Sequence, residues 1–362
     1  MSRRIARILG LLLATALCLS GCGGNGDEIK LLREWSVDQD DHAKAVENTA
    51  IKRRVGMVTD IGGVNDQGFN QSAWDGLYML HEKTGAMVKY LESDGEESFE
   101  PNFTTLAENG YALCWGVGYS CADAILKVAE QYPNINFAII DNAFEQTPPN
   151  MSGIVFRAQE ASFIVGYIAA KVTKTGKVGY IGGIEGEILD QFQYGFQAGV
   201  EYANLKKTAK VKYTVEYVGS FTDMEKGGAI ADAMYADGCD VIYAAAGGAG
   251  LGVIESAGKN DKFVIGVDKD QSYLDKEHVL TSALKKVDAA IYQVSSDFLL
   301  GREVGGKTLS FGMTEGAVGI PENHDLYPDE VYDAALLLCD QIMAGDLVPP
   351  ANKAEFEAFL TK

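Results

Sequence analysis

The chain has 362 residues, with 51 acidic against 31 basic side chains and a formal net charge of −20 at pH 7. Phosphate and anionic lipid repel such a surface, which argues against nucleic acid and acidic membrane surfaces as direct targets; solubility accounts for most of the charge. From Arg54 onward about 310 residues remain; that is more than one core usually serves, and two lobes are expected.

The first 22 residues read as an address. Arg3, Arg4 and Arg7 form a basic start, Ile8 to Leu19 is an apolar run interrupted by Gly10 and Thr15, and Leu19-Ser20-Gly21-Cys22 follows. This is the layout of a secretory signal, with an apolar run too short to span a bilayer comfortably. Cys22 after Leu-Ser-Gly fits the bacterial lipobox, in which the cysteine is acylated and becomes the mature N-terminus. The alternatives are an ordinary signal peptide with an incidental cysteine, or an uncleaved anchor. Two or three acyl chains on one residue hold a protein at a membrane stably, whereas one does not. Removing residues 1–21 takes three arginines and leaves a charge of about −23.

Residues 22–53 comprise that cysteine and a polar tether opening Gly23-Gly24-Asn25-Gly26-Asp27. Leu31 to Ala50 has some helical periodicity, compatible with a short extra helix. Of the remaining cysteines, Cys114 falls in an apparent strand and reads as a small buried apolar residue. A Cys114–Cys121 disulfide stays open, while Cys239 and Cys339 complete the set. No Cys/His spacing suggests a metal, and His42, His81, His278 and His324 are scattered.

Short β-rich runs then alternate with helical stretches. Candidate strands are 54–59, 87–91, 112–116, 137–140, 153–156, 177–181, 212–217, 240–245, 263–267 and 279–283. Several are continuously apolar, as parallel strands buried on both faces are. Helical spacing marks 70–83, 122–131 and 158–172, and Asp223 reads as the N-cap of a helix to about Ala236. Regular β-α-β alternation predicts an α/β protein with doubly wound parallel sheets. Val55-Gly56-Met57-Val58-Thr59, followed by Gly68-Phe69, is weakly echoed by Val178-Gly179-Tyr180-Ile181-Gly182, followed by Gly195-Phe196. Each echo would start one lobe. In open α/β sheets ligands bind beyond the carboxyl ends of the strands, so the loops there are the candidate site.

After the first strand stands Thr59-Asp60-Ile61-Gly62-Gly63-Val64-Asn65-Asp66-Gln67-Gly68-Phe69-Asn70. Asp60 can accept from N–H or O–H groups, and Phe69 offers a flat face worth about 1–3 kcal/mol per stacked base. The same residues serve equally as structure, with Asp60 and Asn65 as helix caps and Phe69 as core. At a later strand end, Asp268 in Gly266-Val267-Asp268-Lys269-Asp270-Gln271 is placed to accept two hydroxyl hydrogen bonds at once, as a ribose diol requires. Lys285 adds a donor there; for an anonymous lysine a solvated surface position is the commoner fate. Gly247-Gly248-Ala249-Gly250-Leu251-Gly252 does not match GxGxxG, and no P-loop, nucleophile elbow or metal-binding histidine pair occurs. A loop giving backbone donors to a neutral ligand fits it better than a phosphate cradle.

The segments VTDIGGVNDQGFNQSAWDGL (58–77), VFRAQEASFIVGYIAA (155–170), GSFTDMEKG (219–227), DVIYAAAGGAGLGVIESA (240–257), GVDKDQ (266–271) and LTSALKKVD (280–288) closely resemble the basic membrane lipoprotein, or purine nucleoside receptor-like, family. These are lipid-anchored solute-binding proteins of ABC importers. The resemblance runs from about residue 54 to the C-terminus and does not cover 23–53. It implies a type I periplasmic-binding-protein fold, two lobes joined by a three-strand hinge. Lobe 1 would comprise 54–157 and 272–309, lobe 2 158–271 and 310–362, with crossings near 156–158, 268–278 and 306–312.

For the site, the resemblance implies that Asp60 reads a purine edge, Phe69 stacks on the base, and Asp268 and Lys285 hold the ribose hydroxyls. Asn70 and Asp141 join from lobe 1. Phe192, in a loop 182–192, opposes Phe69, and the Gly247-Gly248 backbone approaches the sugar. Gly68 departs from the family, which usually has serine there, and Tyr119 stands where phenylalanine is more usual. The expected function is capture of a purine nucleoside at the extracytoplasmic face of the cell membrane for a permease, by a monomer that uses no cofactor or metal and is not an enzyme. The same fold binding another small ligand such as a sugar, a surface adhesin or sensor, and a nucleoside hydrolase with Asp60 and Asp66 on a cation are the alternatives weighed.

Overall fold

The computed structural model describes residues 54–205 and 210–361. The signal, the lipobox, Cys22, the tether and the helical periodicity at 31–50 lie outside these residues. Twelve strands and ten α-helices follow in β-α alternation among the described residues. The first half holds β1 (Arg54–Val58), α1 (Phe69–Thr84), β2 (Met87–Leu91), α2 (Phe99–Glu108), β3 (Leu113–Val117), α3 (Ala122–Gln131), β4 (Asn136–Ile140) and β5 (Met151–Phe156). After α4 (Ala158–Val172) come β6 (Lys177–Gly182), α5 (Glu187–Asn204), β7 (Lys212–Tyr217), α6 (Met224–Ala236), β8 (Val241–Ala245), α7 (Ala249–Asn260), β9 (Phe263–Asp268) and β10 (Val279–Lys285). The chain ends with α8 (Val287–Leu299), β11 (Lys307–Phe311), β12 (Val318–Gly319), α9 (Asp329–Ala344) and α10 (Lys353–Phe359).

Two six-stranded sheets form, ordered β11-β5-β4-β3-β1-β2 and β12-β10-β9-β8-β6-β7. Every neighbour pair is parallel except β10 with the two-residue β12. The orders superimpose, so β1 corresponds to β6 and β4 to β9, giving the sequence echo a structural counterpart. Buried parallel strands must be apolar on both faces, and β3 and β8 are buried at every position.

One apolar core runs through both lobes, from Val55, Leu77 and Trp115 to Phe163, Phe196 and Tyr243. A smaller core lies under α2 and α3 in the first lobe, and another under α6 and α7 in the second. Asp223 caps α6 by accepting from Lys226 N at 2.9 Å. The pair α4–α5 owes its closeness to glycine: a Cβ on Gly166 would stand 2.1 Å from Phe196 O, and one on Gly199 2.0 Å from Phe163 O. The four described cysteines are buried, and Cys114 and Cys121 are both free thiols, so the Cys114–Cys121 disulfide does not form. None of the described helices is long and apolar enough to cross a membrane.

The domain assignment needs two corrections. β11 pairs with β5 in the first sheet, so the first lobe runs to 311 rather than 309 and the third crossing lies at 312–317 rather than 306–312. β10 pairs with β9 and β12 in the second sheet, so 272–285 belongs to the second lobe rather than the first. The second crossing therefore falls between β10 and α8, which packs on α1 of the first lobe, and not at 268–278. The first lies between β5 and α4, and the third spans 312–317, between β11 and β12.

The three crossings are bonded to one another. Arg157 N donates to Phe311 O at 2.8 Å, and Lys286 N to Ala317 O at 2.8 Å. The Arg157 guanidinium reaches Glu160 at 2.7 Å and Glu315 at 2.5 Å, while the second oxygen of Glu160 accepts from Met313 N at 2.6 Å. These bonds tie the three connections into one seam between the lobes.

Candidate functional site

Loops at the carboxyl ends of the strands from both sheets enclose a cavity of about 330 Å³, within the range of small-molecule sites. Asp60, Phe69, Asn70, Asp141, Phe192, Gly247, Gly248, Asp268 and Lys285 all line it. Nine residues spread over more than 220 positions are thus brought together by the two sheets.

The β1–α1 loop is organised by Asp66, which sequence reasoning weighed only as a cation ligand. Its Oδ1 accepts from Gly68 N and Gln71 N, both at 3.0 Å, and its Oδ2 from Asn70 N at 2.8 Å. That satisfies two of the free N–H groups opening α1, those of Asn70 and Gln71, and leaves Asp66 committed as a cap. The Asn70 side chain donates to Asp60 Oδ1 at 2.7 Å and to Asp66 Oδ2 at 3.0 Å, and accepts from Asp60 N at 3.2 Å. Asn70 thus orients Asp60, whose Oδ1 also accepts from Gly62 N at 2.8 Å. Asp60 Oδ2 has no hydrogen-bond partner among the described residues and is the oxygen open to a ligand. Burial pushes the Asp60 carboxyl up to about 6. Gly118, at φ +105°, closes that side; a Cβ there would stand 3.2 Å from Asp60 Oδ2 and 3.5 Å from the Phe69 ring.

Asp141 and Asp268 follow β4 and end β9, corresponding strands of the two sheets. Both have a left-handed backbone, φ 64° and 66°, which aspartate and asparagine tolerate better than most residues. The repeat therefore presents one carboxylate from each lobe. Asp141 is ion-paired with Lys285, whereas the Asp268 carboxylate accepts no hydrogen bond among the described residues. Burial raises Asp268 to about 7, against the opposing pull of Lys285.

Lys285 is buried rather than solvated, at 3% exposure. Its ammonium lies 4.6 Å from the centroid of Phe69, 5.2 Å from Phe156 and 5.8 Å from Phe192. A cation with one carboxylate partner and three aromatic faces is stabilised despite desolvation. Phe192 sits on α5 rather than in a loop: the turn at 183–186 is shorter than expected, and helix begins at Glu187.

Residues not singled out as ligand contacts complete the walls: Ile184, Ile188, Leu189 and Phe221 from the second lobe, Glu96, Phe99 and Tyr119 from the first. Phe221 packs on Gly183 and Gly247, whose lack of side chains admits the ring. The glycines of the 247–252 run were the signal that could have found it. The cavity chemistry is flat apolar faces, carboxylates in excess, and a single ammonium.

Two doubly wound lobes closing on such a cavity define a solute-binding protein of the periplasmic-binding-protein fold. The profile of the family described as "ABC transporter substrate-binding protein PnrA-like" matches residues 53–353, and the chain belongs to that family. Basic membrane protein A of Borreliella afzelii is 40% identical over 312 residues, covering 85% of this chain and 94% of that protein. A CD4+ T-cell-stimulating antigen of Listeria monocytogenes is 34% identical over 370 residues, covering 96% and 98%. Among solved structures, an ABC transporter system solute-binding protein from Aeropyrum pernix K1 superimposes with a TM-score of 0.77 at 26% identity, covering 85% of this chain and 96% of that one. Proteins of this class bind a small ligand and work with a permease.

Proposed function

We propose that this protein captures a purine nucleoside between its lobes, held outside the membrane by acylation at Cys22, and presents it to the permease as a monomer without cofactor. The observation that carries the reading is the combination of Phe69 and Phe192 from opposite lobes with the open carboxylate oxygens of Asp60 and Asp268. A purine offers a flat ring to the former and N–H edges to Asp60, and a ribose diol offers two donors to Asp268. Asn70 acts through Asp60, Asp141 through Lys285, and the Gly247-Gly248 backbone borders the sugar. The surplus of carboxylates over Lys285 repels phosphate, so the nucleoside and not its 5′-monophosphate is the fitting form.

Titration calorimetry with adenosine, guanosine, inosine, adenosine 5′-monophosphate and simple sugars tests this. A nucleoside should bind at micromolar or tighter, about −8 kcal/mol or better, and the monophosphate at least a hundredfold more weakly. Binding of no nucleoside below about millimolar removes the ligand assignment. The anchor is tested separately: Cys22→Ala should release the protein from the membrane fraction.

A further inference from the structure

Beside the cavity the lobes touch again. Lys269 Nζ, between β9 and β10, meets Asp75 Oδ2 on α1 at 2.5 Å. Gln271 Nε2 donates to Gln67 O at 3.1 Å, and Tyr273 OH to Gln67 Oε1 at 2.8 Å. All three contacts cross between lobes, because 54–91 builds the first sheet and 263–285 the second. Lys269, Gln271 and Tyr273 do not line the cavity.

Gln271 is built into its own lobe: its Oε1 accepts from Val267 N at 3.0 Å and its N–H donates to Ser282 Oγ at 3.1 Å. It is 4% exposed, and the residue it holds, Val267, immediately precedes Asp268. At its other end it grips Gln67, which lies two residues before Phe69 and adopts φ 56°, a backbone that residues with a side chain seldom take. One side chain thus joins the strand end carrying Asp268 to the loop carrying Phe69, from behind both.

We propose that Gln271, backed by Lys269 and Tyr273, is a positioning residue that holds the Phe69 loop against the Asp268 strand end when the lobes meet, and so sets how long a ligand stays. The inference rests on the capture reading above. Contacts remote from the ligand act alike on every ligand that closes the lobes, so they govern release and leave the order of preference unchanged.

The test uses the full chain with Gln271→Met, and separately Lys269→Ala combined with Tyr273→Phe, changes at a half-buried and an exposed position. Ligand-free X-ray scattering should give a larger radius of gyration than the parent. Nucleoside dissociation in stopped flow should be about tenfold faster, with the ranking of nucleosides unchanged. Gln67→Gly, which removes Tyr273's acceptor while suiting the left-handed backbone, should act in the same direction. A shift in either readout at an unchanged unfolding midpoint sustains the assignment. Identical scattering and rates overturn it, as does a lowered midpoint with both unchanged, which would mean these contacts serve one lobe's stability. If the parent binds no nucleoside, the ligand reading fails and the ligand-free scattering still decides the role of Gln271.

Discussion

A Lys285→Met variant is expected to lose about 3–5 kcal/mol of unfolding free energy at pH 8, the cost of removing one partner from a buried ion pair. The methionine fits the slot among Phe69, Phe156 and Phe192, so packing is largely retained, and the loss reports charge. Asp141 loses its counter-ion, and Asp268 loses the one group pulling its carboxyl down. The sign with pH follows. An acid whose folded pKa is raised binds its proton more tightly when folded, so its penalty is absent below the unfolded value near 3.8 and complete above about 7. The deficit of the variant should therefore shrink as pH falls from 8 to 5. Adding Asp141→Asn should restore most of it, since asparagine accepts the same left-handed backbone. Chemical denaturation at the two pH values checks both statements; a deficit independent of pH and unrelieved by the second substitution would assign Lys285 a packing role alone.

Asp268→Asn should move stability and binding in opposite directions. Without a ligand, the amide needs no counter-charge, so the unfolding midpoint rises at pH 7.5. The gain shrinks as the pH falls and vanishes only below the unfolded value of 3.8, where the parent carboxyl is protonated in both states. With a nucleoside, two charge-assisted hydrogen bonds become neutral ones, and affinity should fall roughly 10²–10³-fold, about 3–4 kcal/mol. A site that stores instability at its binding groups is the usual trade of stability for function. Equal affinity in parent and variant would remove Asp268 from the ligand contacts.

Much of the fold was legible because buried parallel strands leave little choice of residue. The runs at 113–117 and 241–245 are apolar throughout, and the helices 122–131 and 158–172 have the bounds that periodicity marks. β11 was not legible: Lys307–Phe311 is an edge strand with exposed positions and no apolar run. β10 was recognised as a strand and given to the wrong lobe, because a strand's composition does not say which sheet supplies its partners. Asp60, Phe69, Gly247, Gly248, Asp268 and Lys285 were legible at strand ends, Asp141 and Phe192 came with the family resemblance, and the mutual roles of these residues were not legible at all. That Asp66 caps α1 and Asn70 orients Asp60 depends on atoms converging within a 12-residue loop. Lys285 is legible as a donor at the site, but not its burial or its ion pair, because the partner Asp141 lies 144 positions earlier in the chain.

The three crossings also fix the order in which the molecule can be completed as it is synthesised. Neither lobe is a continuous stretch of chain. When β5 is finished, the first sheet still lacks β11 at one edge, and the face of α1 that α8 covers is bare. The α1 face waits until residue 299 and the sheet edge until 311, by which time nine of the second lobe's elements have already emerged. The first-made lobe is thus the one that must stay open longest, with an unpaired strand and an uncovered apolar face. Its sealing and the second lobe's last strand depend on the same late stretch of chain, 307–319, and only α9 and α10, which pack on α4 and α5, remain to be added after it.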